Sequence, residues 1–150
     1  MILLSACLAG VPCRYDGASK PVPELMNLVL RGEALLVCPE VLGGLPTPRI
    51  PCERQPDGSV LNEKGEDLSA QYRRGAERAL AICKARGCSC AVLKARSPSC
   101  GKGEIYDGSF THTRIPGDGI FAELLQANGI RVLTEEEDLK PLLKRTDGDN

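Results

Sequence analysis

Tryptophan is absent from this 150-residue chain, and only five residues are aromatic: Phe110, Phe121, Tyr15, Tyr72 and Tyr106. The core must therefore be aliphatic. A single histidine, His112, excludes any multi-histidine zinc site and leaves acid–base chemistry to carboxylates, hydroxyls and thiols. Lying in a loop, His112 itself is expected to be solvated. There is no basic block either: 19 basic and 20 acidic residues are well mixed, for a net charge of -1. That balance argues against a dedicated nucleic-acid partner, whose affinity would rest on phosphate contacts, and suits a small neutral substrate. The apolar runs are too short to span a membrane. Leu3-Leu4-Ser5-Ala6-Cys7 superficially resembles a lipoprotein processing site, but no Lys or Arg precedes it and its apolar stretch is too short for a signal segment. A cytoplasmic location is expected.

Two nucleotide-binding motifs are also missing. Gly101-Lys102 is no P-loop, because Arg96 stands where its first glycine belongs and no Ser or Thr follows the lysine. Gly101-x-Gly103 fails the dinucleotide fingerprint at Tyr106. What the chain does have is cysteine, eight in all. Without export signals these read as metal ligands or redox groups in a reducing compartment rather than as a disulfide framework.

Strand and helix patterns alternate. Strands are expected at Ile2 to Ala6, Ala34 to Val37, Cys90 to Leu93 and Ile130 to Leu133. A first helix starts near Pro23, buries Leu25, Leu28 and Val29, and ends at Gly32. Asp67 caps a long helix that carries Leu68, Tyr72, Ala76, Ala79, Leu80 and Cys83 at helical spacing up to Gly87. A third buries Ile120, Leu124 and Leu125 before Asn128-Gly129, and Thr134-x-x-Glu137 resembles a capping box for a short last helix. Residues 52–66 form a hairpin or excursion, and Tyr106-Asp107-Gly108-Ser109 suggests a second hairpin. The expected fold is α/β: one small Rossmann-like domain over 1–150, its mostly parallel sheet of about four strands flanked by helices, with hairpin excursions and a frayed tail at 144–150. Parallel neighbours require such crossovers.

Three cysteines follow predicted strands: Cys7, Cys38 and Cys100. In a parallel sheet all three emerge at the carboxyl edge, where open α/β sheets build ligand sites. Cys7 and Cys13 share a loop tightened by Gly10 and Pro12, although free cysteine also packs as a small hydrophobe. Cys38-Pro39-Glu40, read as extended, puts a carboxylate on the same side as a thiol; the bland alternative is a solvated glutamate. Ser97-Pro98-Ser99-Cys100-Gly101 is either a serine-rich turn or a functional loop. Cys83 reads as core, Cys88 and Cys90 as packing near the opposite edge, and Cys52 as close enough to approach the site. Structural zinc favours Cys-x2-Cys pairs, and none occurs. Ligands scattered over three loops suit a bulkier iron–sulfur cluster, normally held by four thiolates; three would leave one iron open, as in catalytic metal sites.

Ser5-Ala6-Cys7-Leu8-x-Gly10-Val11-x-Cys13-Arg14-Tyr15-Asp16-Gly17, Cys38-Pro39-Glu40-x-Leu42-Gly43-Gly44-Leu45-Pro46-Thr47-Pro48-Arg49, and Ser97-Pro98-Ser99-Cys100-Gly101 with Ile105-Tyr106-Asp107-Gly108 resemble the bacterial thiouracil desulfidase family along nearly the whole chain. The resemblance implies an oxygen-sensitive [4Fe-4S] cluster, lost on aerobic handling, on Cys7, Cys38 and Cys100. Its open iron would take the sulfur of 2-thiouracil or a related thiopyrimidine, and water would replace that sulfur, releasing uracil and hydrogen sulfide without net redox. Glu40 and Ser97 would do the acid–base work, with Cys13 and Ser99 near the substrate. The competing readings are a desulfidase of thiolated tRNA nucleosides and a non-catalytic zinc or iron–sulfur sensor.

Overall fold

The computed structural model describes residues 1–143; the tail at 144–150 lies outside the described residues. Four short parallel strands form the main sheet: β1 (Ile2–Ser5), β2 (Ala34–Val37), β5 (Cys90–Leu93) and β8 (Arg131–Thr134), in the order β2-β1-β5-β8. The chain leaves β1 toward β2 and later leaves β5 toward β8, so the winding reverses between β1 and β5. Ligands bind in α/β sheets at such a switch point, outside the carboxyl ends of the strands.

β1 and β5 are interior strands, and Leu3, Leu4, Val92 and Leu93 are completely buried. One face of the sheet packs Leu3, Val37, Ala91, Leu93 and Val132 against α3 (Ser69–Ala85) and α4 (Ile120–Ala127). The other packs Ile2, Leu4, Val92 and Leu133 against Leu25 and Leu28 of α1 (Pro23–Leu30) and against Leu139. Tyr72 and Phe121 are the only aromatic side chains among the largest fully buried ones, as an aliphatic core requires.

Two antiparallel hairpins, β3 (Cys52–Arg54) with β4 (Val60–Asn62) and β6 (Glu104–Tyr106) with β7 (Arg114–Pro116), are the expected excursions. Sequence and structure part at three points. Residues 39–42 are a helical turn, α2 (Pro39–Leu42), rather than extended, because Pro39 at the first helical position presets φ for a helix. In α4 the fully buried residues are Phe121, Ala122 and Leu125, with Ile120 and Leu124 only partly buried; the two phases differ by one residue, which a helix of two turns hardly resolves. The capping box at Thr134 does form, Thr134 N–H donating to Glu137 Oε2 at 2.7 Å, but it closes a turn, and helix begins only at residue 140.

A pair of glycines fixes α2. A Cβ on Gly75 of α3 would lie 1.8 Å from the Pro39 carbonyl oxygen, and one on Gly43 would lie 2.1 Å from that of Gln71. The two backbones touch, so any side chain must push α2 away. Gly75→Ala is expected to cost about 1–3 kcal/mol of stability and to lower Tm by roughly 2–10 °C. Because Pro39 lies between Cys38 and Glu40, a displacement of α2 moves both. Thermal denaturation of the variant, beside its turnover, checks this.

Candidate active site

At the carboxyl edge of the sheet opens a cavity of about 320 Å³. Cys7 reaches it from a 3₁₀ turn (Ala6–Ala9) directly after β1, Cys38 from the junction of β2 and α2, and Cys100 from the loop after β5. All three line the cavity, as do Cys13, Glu40, Ser97 and Cys52. Ser99 does not. It is completely buried, its carbonyl accepts the Phe121 and Ala122 amides at 2.8 and 3.1 Å, and Gly119 lies against it. In the tight 97–101 turn, residues 97, 98 and 100 line the cavity, whereas Ser99 lies behind them, its carbonyl on α4 and its side chain against the Cys100 thiol.

That turn is fastened from two sides. α4 has no side-chain cap; instead its first amides are satisfied by the Pro98 and Ser99 carbonyls, with Ile120 N–H to Pro98 at 2.9 Å. Inside the turn, Ser97 Oγ accepts the amides of Ser99 at 3.1 Å and Cys100 at 3.0 Å. With its lone pairs so engaged, the hydroxyl proton points outward to Glu40 Oε1, 3.4 Å away. This is a long contact of the kind that tightens when substrate binds.

Glu40 is held at its other oxygen. Arg49 Nε donates to Oε2 at 2.8 Å, and Nη2 donates to the same oxygen and to the Cys13 carbonyl at 3.0 Å. The ion pair is almost dry, its side chains 6% and 13% exposed. Burial works against the Arg49 charge, but Glu40 outweighs it and the guanidinium holds its proton more firmly than usual.

Three of the cavity thiols are in contact, and Cys7, Cys13 and Cys100 are buried while Cys38 is half-buried. Cys13 hydrogen-bonds both Cys38 and Cys7, and the Cys38 thiol also donates to the Cys13 carbonyl at 3.8 Å. Its bond to Cys13, and then burial, drive the Cys38 thiol far above its ordinary range. Burial pushes the Cys100 thiol up to about 12. For Cys13 the Cys38 bond acts downward, but Cys7 and burial prevail and leave it raised. Protonated thiols of this kind become thiolates when a metal displaces their protons. Among the described residues no three His, Cys, Asp or Glu side chains are placed to hold a single metal ion. Soft donors spread around a roomy cavity instead suit the thiolate chemistry and the bulk of an iron–sulfur cluster.

Tyr72 and Glu53 reach the cavity wall without any signal of a site in the sequence. Tyr72 enters from α3, and burial keeps its hydroxyl a neutral donor, bonded to Cys52. Glu53, 9% exposed, accepts the amides of Gly108 and Phe110 at 2.9 and 3.2 Å. It thereby pins the β6–β7 loop across the cavity mouth. Tyr106 and His112 line the mouth and meet edge to face, 6.1 Å between ring centroids. His112 is thus exposed as expected, yet it belongs to the cavity wall. Lys94, paired with Glu135 at 3.2 Å, and Arg96, forked onto Glu136, complete that side. Away from the cavity, Cys83 and Cys88 are core residues, the Cys83 thiol donating to the Cys88 carbonyl at 3.6 Å, and Cys90 packs partly buried against the opposite face.

Comparison with known proteins gives a consistent picture. The uncharacterized protein YbbK of Bacillus subtilis (strain 168) is 40% identical over 146 residues, covering 91% of this chain and 97% of its own. The solved structure of the [4Fe-4S]-dependent thiouracil desulfidase TudS is 47% identical, covers 99% of this chain and 98% of its own, and superposes with a TM-score of 0.89. A family profile described as 2-thiouracil desulfurase matches residues 2–137. A match over nearly the whole chain, on the fold that brings these thiols to one cavity, places the protein in the 2-thiouracil desulfurase family.

Proposed function

We propose that this chain removes the sulfur of thiouracil with a [4Fe-4S] cluster held by Cys7, Cys38 and Cys100. The observation that carries the reading is the meeting, on one cavity at the switch point of the sheet, of three thiols and a Ser97–Glu40 pair. When bound, the cluster supplies a Lewis-acidic iron with an open position for sulfur. The chain's own residues do the rest. Glu40 Oε1, left free while Arg49 occupies Oε2, accepts a proton from the attacking water. The proton Glu40 has taken passes by way of the Ser97 hydroxyl, which points to that oxygen, to the departing sulfur, so the two protons of the water leave with it as hydrogen sulfide. The carbon gains the oxygen of water and loses sulfide, so no electrons are exchanged with an outside donor. Tyr72, Tyr106 and His112 enclose the pyrimidine and limit water access. No described helix is long and apolar enough to cross a membrane.

The test is sulfide release from 2-thiouracil by anaerobically reconstituted protein, with iron and acid-labile sulfide counted on the same sample. Uracil and sulfide in equal amounts, dependent on about four irons per chain, are expected. A loaded cluster without turnover would overturn the substrate; failure to bind iron would overturn the cofactor.

A further inference from the structure

We infer that Arg49 is a positioning residue, which selects Oε1 of Glu40 as the only reactive carboxylate oxygen. This rests on the reading of Glu40 as the proton acceptor in desulfidation. A free carboxylate presents two equivalent oxygens and rotates between them. Here rotation is blocked, because the guanidinium spends both Nε and Nη2 on Oε2. Its remaining donors are fixed to the backbone and to a neighbouring hydroxyl: Nη2 to the Cys13 carbonyl at 3.0 Å, and Nη1 to the Pro46 carbonyl and Thr47 Oγ1, both at 3.2 Å. The Arg49 amide donates to the Tyr15 carbonyl at 2.7 Å. The fork is therefore itself immobile, and a lysine could not reproduce it. Oε1 is left facing Ser97, 3.4 Å away.

The geometry also explains the Leu45-Pro46-Thr47-Pro48-Arg49 segment, to which the cofactor gives no role. It carries no thiol and no acid; it delivers one guanidinium across the loop of Cys13 to the back of Glu40. Arg49 shares the Cys13 carbonyl with the Cys38 thiol and interacts with that thiol through its charge, so iron content is the control that separates an effect on Glu40 from one on a proposed ligand.

A double-mutant cycle on reconstituted enzyme with 2-thiouracil tests the inference. Arg49→Ala is expected to lower kcat about 10²-fold, leave KM within about 3-fold and retain full iron and labile sulfide. Arg49→Lys should stay nearly as slow, and added guanidinium chloride should restore part of the Arg49→Ala rate. In a Glu40→Ala background, Arg49→Ala should cost nothing further, since its effect passes through a carboxylate already gone. An equal loss in both backgrounds, or loss of iron from Arg49→Ala, would overturn the inference and make Arg49 a structural clamp. If the wild-type enzyme itself fails to turn over 2-thiouracil, the functional reading fails first and takes this inference with it.

Discussion

Serine at Cys7, Cys38 or Cys100 is expected to abolish cluster loading, with iron falling from about four per chain to background. Each of the three emerges from a different strand end, so no neighbour on the same segment can substitute for a lost ligand, except near Cys7. There Cys13 lies in contact with both Cys7 and Cys38 and is the informative control. Cys13→Ser is expected to load iron normally, as are Cys83→Ser and Cys88→Ser, which sit in the core away from the cavity. A hydroxyl is a poor ligand for a soft centre, and a set of three is already one thiolate short of the usual four. Circular dichroism should be unchanged in the four cavity variants, because packing on both faces of the sheet is carried mainly by aliphatic side chains. Normal iron in any one of the three would remove that residue from the ligand set. Loss of iron from Cys13→Ser, with retention in Cys7→Ser, would exchange their roles.

Glu40→Ala is expected to keep the cluster and slow sulfide release by about 10²–10⁴-fold, the usual worth of a positioned acid–base group. Ser97→Ala should fall in the same range but for two reasons. It removes the hydroxyl that faces Glu40, and it takes away the acceptor for the Ser99 and Cys100 amides, each net hydrogen bond being worth about 1 kcal/mol. Ser97→Thr separates these effects: it keeps the acceptor and a hydroxyl, so it should hold the loop and recover part of the rate. Turnover within a few-fold of wild type in both Glu40→Ala and Ser97→Ala would end the acid–base assignment, whatever the iron content.

Much of this architecture could be read directly from the chain. Strands such as Ala34–Val37 and Cys90–Leu93 are short apolar runs bounded by glycine and turn residues, signals local enough for sequence to carry. The three thiols were visible because each closely follows such a run. What stayed hidden depends on contacts between distant segments. Glu40 was read as extended because the proline before it was weighed as a turn residue, not as the first position of a helix. Ser99 is absent from the cavity lining, and a tight turn gives no clue in sequence which of its residues line a cavity. Tyr72 looked like a core residue, and it is one; its ring also lines the cavity, which helical spacing alone does not reveal. Arg49 stands in the block that carries the family resemblance, but neither its role nor that of Glu53 could be read there, because each is almost buried against a loop far from it in sequence.

The order of strands in the sheet has a consequence for how the protein is made. β1 precedes the other strands of the sheet in the chain, yet one of its two hydrogen-bonded neighbours, β5, lies far downstream. The loop bearing Cys100 is tied down only once α4 has followed it. A nascent chain therefore cannot assemble the cavity piecemeal, and Cys7 and Cys38 wait as open thiols until nearly the whole sequence is synthesised. The three thiols are thus brought together by long-range contacts, and the cavity is complete only when the sheet and α4 are both in place.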